Sequence, residues 1–92
     1  MVRYHFTVHG SVQGVGFRYF ARKAAMLHHI NGWVRNMLDG TVEIDAEGGE
    51  EEMDLFIAAI EDGSRYSFVK TVSREKLQLM ENYRSFDIAD DE

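Results

Sequence analysis

The stretch that most constrains this chain is Gly10-Ser11-Val12-Gln13-Gly14-Val15-Gly16-Phe17-Arg18. Its three glycines separate an alternating apolar segment from one with helical periodicity, so it reads as a strand-to-helix turn with a freed backbone. Glycine reaches positive φ at no steric cost and lets a ligand approach the main chain closely. The first N–H groups of the following helix have no internal partner and sit at the positive end of its dipole. Such a nest of donors suits an anion. Arg18 adds a planar, permanently charged fork matched to phosphate or carboxylate oxygens. A phosphate-sized dianion is the expected ligand, and Val12, Gln13, Gly14, Val15, Gly16, Phe17 and Arg18 are the candidate binding residues. Two nucleotide signatures fail here. Gly16 is followed by Phe17-Arg18 rather than the Lys-Ser/Thr of a Walker loop, and a dinucleotide fingerprint begun at Gly14 would need glycine where Tyr19 stands.

A chain of 92 residues with net charge −6 looks unsuited to anions until the charge is divided along it. Up to Gly40, Arg3, Arg18, Arg22, Lys23 and Arg35 face only Asp39, a net of +4; the remainder carries 5 basic and 15 acidic residues, a net of −10. The anion-binding part is therefore locally basic. The acidic remainder argues against a nucleic-acid footprint, which needs basic residues spread along a surface. The absence of cysteine excludes disulfides and a cysteine-nucleophile phosphatase. Residues 1–92 read as one domain. With no apolar leader and no run long enough to span a membrane, the expectation is a cytoplasmic protein with no membrane partner; a monomer is expected.

In chain order, Val2 to His9 alternates as a half-buried strand, with Val2, Tyr4, Phe6 and Val8 inward and Arg3, His5, Thr7 and His9 toward solvent. His5 and His9 are too far apart on a strand to share a metal. Phe17 or Arg18 to about His29 reads as a helix with Phe20, Ala24 and Leu27 on its core face. Its first turn carries no acid, as expected if a ligand supplies negative charge there. Asn31-Gly32 reads as the helix exit and Gly32 to Leu38 as a second strand. Asp39-Gly40 is a hairpin signal, and Thr41 to Glu47 a third strand with Val42, Ile44 and Ala46 inward. A two-residue loop would set Trp33, Arg35 and Met37 with the apolar residues and Asn36 opposite Glu43 on the polar side; a longer loop would change that register. Trp33 and Phe17 are expected in the core.

Glu50 to Asp62 reads as a second helix with Met53, Phe56, Ile57 and Ile60 as its core stripe and Gly63 just beyond its end. Gly63 to Phe68 reads as a loop, Val69 to Met80 as a strand with a bulge or bend, and Arg84 to Ile88 as a short strand burying Phe86 and Ile88. Ala89-Asp90-Asp91-Glu92 reads as a solvated tail. The order β-α-β-β-α-β plus a short C-terminal strand implies an α+β, ferredoxin-like split βαβ sandwich, its mostly antiparallel sheet covered on one face by two helices. That fold hosts many functions, so the site must name this one.

The glycine motif, followed by Gly32-Trp33-Val34-Arg35-Asn36 and Asp39-Gly40-Thr41-Val42-Glu43, closely resembles the acylphosphatases, and the similarity extends to Phe86-Asp87-Ile88. Ser11, Gly49 and Gly63-Ser64-Arg65 depart from the family's usual residues, and Ser64 to Tyr83 matches it poorly. The resemblance implies hydrolysis of a small acyl phosphate to a carboxylate and inorganic phosphate without a covalent intermediate. It implies Arg18 as the phosphate-binding catalytic residue and Asn36 as the one orienting water. No residue pattern calls for a metal or organic cofactor. The alternative is a non-catalytic module that uses the same cradle only to hold a phosphorylated ligand. An RNA binder of the RRM type would need aromatics on the open sheet face, whereas Tyr4 and Phe6 fall on the apolar one.

Overall fold

The computed structural model describes residues 1–92. Its elements are β1 (Val2–Ser11), α1 (Phe17–Leu27), β2 (Asn31–Asn36), β3 (Val42–Gly48), α2 (Glu50–Asp62), β4 (Phe68–Leu77) and β5 (Phe86–Ile88). The sheet order is β4-β1-β3-β2-β5. β3 is antiparallel to both β1 and β2, β1 is antiparallel to β4, and β5 joins the far edge parallel to β2. Each helix thus bridges two parallel strands separated by one other, the split βαβ arrangement expected. No helix is long and apolar enough to cross a membrane.

Alternation along β1 and β3 aims Phe6, Val8, Val42, Ile44 and Ala46 at the helices, all 1% exposed or less. Phe56 of α2 meets Phe6 and Phe86 edge to face, with centroids 6.2 and 6.0 Å away, a geometry aromatic pairs prefer. The α2 stripe is the expected Met53, Phe56, Ile57 and Ile60. On α1 the buried stripe is Phe17, Ala21, Ala24 and Ala25. Leu27, expected inside, is 71% exposed, because at 100° per residue it lies well off the centre of that stripe.

The helix exit also differs. His29 takes the left-handed conformation at φ 58, and Asn31-Gly32 already belongs to β2. Gly32 answers a different demand, since a Cβ there would stand 1.8 Å from the Asp45 carbonyl oxygen. β4 begins at Phe68 and ends at Leu77, short of the expected Met80. Its pairing with β1 slips between His9 and Gly10, which leaves Lys70 as the extra residue of the expected bulge.

The largest departure lies on the sheet face away from the helices. Asp45 and Glu47 are each 2% exposed there, which a carboxylate tolerates only when paired. Arg3 donates to both Asp45 oxygens (2.8 and 3.2 Å), and the Tyr83 hydroxyl donates to Oδ1 at 2.9 Å. Glu47 accepts the N–H groups of Glu81 and Tyr83, so the segment after β4 is strapped across this face. His5, expected toward solvent, is wedged between Asp45 (2.8 Å) and Glu43 (2.9 Å). Trp33, expected in the core between helices and sheet, lies on this outer face, where it donates to the Tyr83 hydroxyl at 3.2 Å beneath the Arg35 guanidinium.

Burial pulls the His5 pKa down, but hydrogen bonds to Asp45 and Glu43 carry it above its ordinary 6.5. Burial likewise pushes Asp45 and Glu43 up, yet their hydrogen bonds to Arg3, His5, Tyr83 and Arg35 hold both below the usual carboxylate range. By linkage, the His5 contribution is complete below pH 6.5 and is lost as pH rises through its raised folded value. The carboxylate contributions are complete above their ordinary values of 3.8 and 4.5 and are lost as pH falls through the lowered ones. Urea unfolding from pH 4 to 9 should therefore find this network strongest between about pH 5 and 6.5. His5→Gln should flatten the decline on the alkaline side, and an unchanged decline in that variant would refute the assignment.

Candidate active site

The glycine turn lies between β1 and α1. Gly14 and Gly16 adopt positive φ (74° and 79°), and Gly16 caps α1 in the left-handed region with no side-chain cap. No protein acceptor takes the N–H groups of Val12 to Gly16, and the first bond at the helix start runs from Phe20 N–H to the Gly16 carbonyl (3.1 Å). The first turn of α1 has no acidic residue. The fold itself thus leaves these N–H groups without a protein acceptor, the condition a donor nest requires.

Not every side chain of the loop is available to a ligand. Val12 and Phe17 are each 1% exposed and anchor the loop in the core, so only their backbone can serve the site. Gln13 Nε2 donates to the Met37 and Thr41 carbonyls, both at 2.8 Å, which ties the glycine loop to the β2–β3 connection. That tie makes Gln13 a spacer between the loop and Asn36, a task its sequence position does not advertise.

The β2–β3 connection is longer than the expected Asp39-Gly40 pair. The Asp39 carboxylate accepts from Thr41 N–H (3.0 Å) and hydroxyl (2.6 Å), and these bonds hold its pKa below the ordinary value. Met37 N–H reaches the Thr41 carbonyl at 2.9 Å, closing a loop from Met37 to Thr41. The strands consequently pair Asn36 with Val42, Arg35 with Glu43 and Val34 with Ile44. This one-residue shift from the two-residue expectation exchanges the faces of every β2 side chain. Val34 enters the core, and Arg35 joins Glu43 on the outer face at 2.8 Å. Asn36 turns to the helix side, toward the glycine loop, and its Oδ1 is buried without a hydrogen-bond partner.

Arg18 and Asn36 come together, although 18 positions apart in sequence, through a third residue that sequence analysis assigned to solvent. Asp91 Oδ1 accepts from Arg18 Nη1 at 3.1 Å and from the Asn36 backbone N–H at 3.2 Å. The tail is therefore not free. Ala89 N–H donates to the Val34 carbonyl (2.9 Å), Glu92 N–H to the Asn36 carbonyl (3.0 Å), and the Glu92 carboxylate accepts Leu38 N–H (2.8 Å). Gln13, Asn36, Met37, Leu38, Asp91 and Glu92 line a cleft of about 270 Å³. A larger cleft, about 460 Å³, opens near Arg22 and His29, away from the loop donors. No group of three or more His, Cys, Asp or Glu side chains could hold a metal ion.

A split βαβ sheet with two helices on one face defines a small α+β protein of the ferredoxin-like class. Comparison with known proteins narrows that class. The family model described as Acylphosphatase matches residues 4–88. An acylphosphatase of Bacillus licheniformis is 47% identical over 97% of this chain and 99% of its own. The crystal structure of acylphosphatase from Bacillus subtilis superposes with TM-score 0.94 at 42% identity, covering 97% of this chain and 99% of that one. The chain belongs to the acylphosphatase family. It also matches 12% of full-length HypF in its phosphate- and nucleotide-bound form, with TM-score 0.88, 27% identity and 98% of this chain covered.

Proposed function

We propose that this member of the family hydrolyses the carboxyl-phosphate bond of small acyl phosphates by charge stabilisation and water positioning, within a single domain spanning residues 1–92. What supports the reading is that the loop N–H groups have no protein acceptor, that Asp91 joins Arg18 to the Asn36 backbone, and that the Asn36 Oδ1 has no protein partner. An acyl phosphate is a mixed anhydride with a weakly basic carboxylate leaving group, so its departure needs little help from a general acid. The remaining demand is to stabilise charge as it redistributes over the phosphoryl oxygens, the task of loop N–H groups and arginine in phosphoryl transfer.

Asn36 cannot act as a base near neutral pH, but its amide oxygen can accept from water and fix the line of attack. The terminal torsion of asparagine is broad and roughly two-fold, so a turn about it would bring the unpartnered Oδ1 to a water in the cleft. In-line attack from that side sends the leaving carboxylate away from Asn36, and the substrate phosphate takes the proton. The absence of cysteine is consistent with water attacking directly. The locally basic first part of the chain supports a small anionic substrate over a nucleic acid, and a cytoplasmic monomer is the working assignment.

The test is phosphate release from an aromatic acyl phosphate with excess chelator present. Turnover unchanged by the chelator is the expected result, since positioning and charge stabilisation come from the chain's own residues. Activity that collapses in chelator and returns with a divalent cation would overturn this mechanism. Phosphate binding without turnover would favour the binding-module reading, the more so given the match to a segment of the much longer HypF.

A further inference from the structure

Asp91 places a carboxylate oxygen where a ligand oxygen would meet Arg18. Its Oδ1 takes one guanidinium N–H at 3.1 Å and the Asn36 backbone N–H at 3.2 Å. The strap carrying it is fastened on both sides, by Ala89 N–H to Val34 and by Glu92 N–H to Asn36. Asp91 is also the only acidic side chain in an ion pair with Arg18. Its neighbour Asp90 is exposed and makes no ion pair.

Resting on the reading of Arg18 as the phosphoryl-binding arginine, we propose that Asp91 is a built-in competitor of the phosphoryl group. It holds Arg18 in the free protein, yields it to the incoming anion, and takes it back as inorganic phosphate leaves. A carboxylate and a phosphoryl group present the same kind of oxygen to a guanidinium, and the two cannot occupy one N–H together. Their like charges also repel at that distance. The exchange favours substrate because a phosphoryl group has further oxygens for the free loop N–H groups, which Asp91 leaves untouched. The contact is partly exposed, with side chains 32% and 52% accessible, so the competition is modest. Pairs of this kind shift an equilibrium constant by about 1.5- to fivefold.

The deciding experiment measures binding of inorganic phosphate by calorimetry, and its competitive inhibition of acyl phosphate hydrolysis, in wild type, Asp91→Asn, Asp90→Asn and Arg18→Ala. Asp91→Asn should tighten phosphate binding and lower KM, each by roughly two- to fivefold. Asp90→Asn removes the same formal charge one residue away and should change phosphate binding much less. Equal responses in the two variants would overturn the proposal by reducing it to long-range charge, and weaker phosphate binding in Asp91→Asn would overturn it by making the strap part of the binding site. Wild-type turnover that depends on Arg18, with phosphate affinity unmoved by Asp91→Asn, rejects the competitor while leaving the enzyme reading intact. An Arg18→Ala chain that binds phosphate as well as wild type rejects both.

Discussion

Arg18→Ala is expected to lower kcat/KM for an aromatic acyl phosphate by roughly 10³-fold or more while leaving the domain folded. The two halves of that expectation come from different observations. The guanidinium stands at the N-terminal end of a helix that has no acid in its first turn, beside loop N–H groups that no protein acceptor uses. A loss of 10³ corresponds to about 4 kcal/mol of transition-state stabilisation. Stability depends far less on Arg18, whose ion pair with Asp91 is partly exposed and worth at most about 1 kcal/mol. Steady-state phosphate release alongside urea unfolding separates the two effects. Arg18→Lys should recover only part of the rate, because an ammonium keeps the charge and loses the fork. A loss below tenfold in Arg18→Ala would remove this residue from the chemistry.

Asn36→Ala should reduce kcat by about 10² to 10³, the scale of removing one oriented polar group from a preorganised site, with KM changed much less. Asn36 is held on the helix side of the sheet by the pairing of β2 with β3, and Gln13 spaces it from the glycine loop. Its Oδ1 makes no hydrogen bond to the rest of the protein, so truncating the amide breaks no such bond. Removing the amide should therefore leave the urea midpoint no lower than in wild type, even as the rate falls. That opposition between rate and stability is what a positioned functional group produces and a structural one does not. A variant that loses stability but keeps its kcat would show Asn36 to be a packing residue.

How much of this could be read in advance depended on how local each cause was. The stripe Met53, Phe56, Ile57 and Ile60 needs only helical periodicity and a core to face, and α2 formed with the expected bounds. The alternation of β1 and the positive φ of Gly14 and Gly16 are equally local demands. The face of Asn36 is different, because it hangs on the length of one loop. Asp39-Gly40 reads as a two-residue turn, but the Asp39 carboxylate binds Thr41 instead, and that choice moves the register by one residue. His5, Asp45 and Glu47 alternate with core residues just as solvent-facing positions would. Their burial rests on Arg3 across the strands and on the segment around Tyr83 that folds back over the sheet, partners none of which the alternation reveals.

The sequence by itself determined the split βαβ order, the two helices, the glycine-rich turn from Gly10 to Gly16, and Arg18 in the first turn of the helix that follows it. Each follows from periodicity, backbone freedom or side-chain chemistry contained within a dozen residues. Only the tertiary structure decided that Asn36 faces the helix side, that Trp33 sits on the outer face, and that Asp91 rests on Arg18. Those outcomes depend on strand register and on partners distant in the chain, where a shift of one residue reverses a face and a single long-range ion pair turns an acidic tail into part of the site.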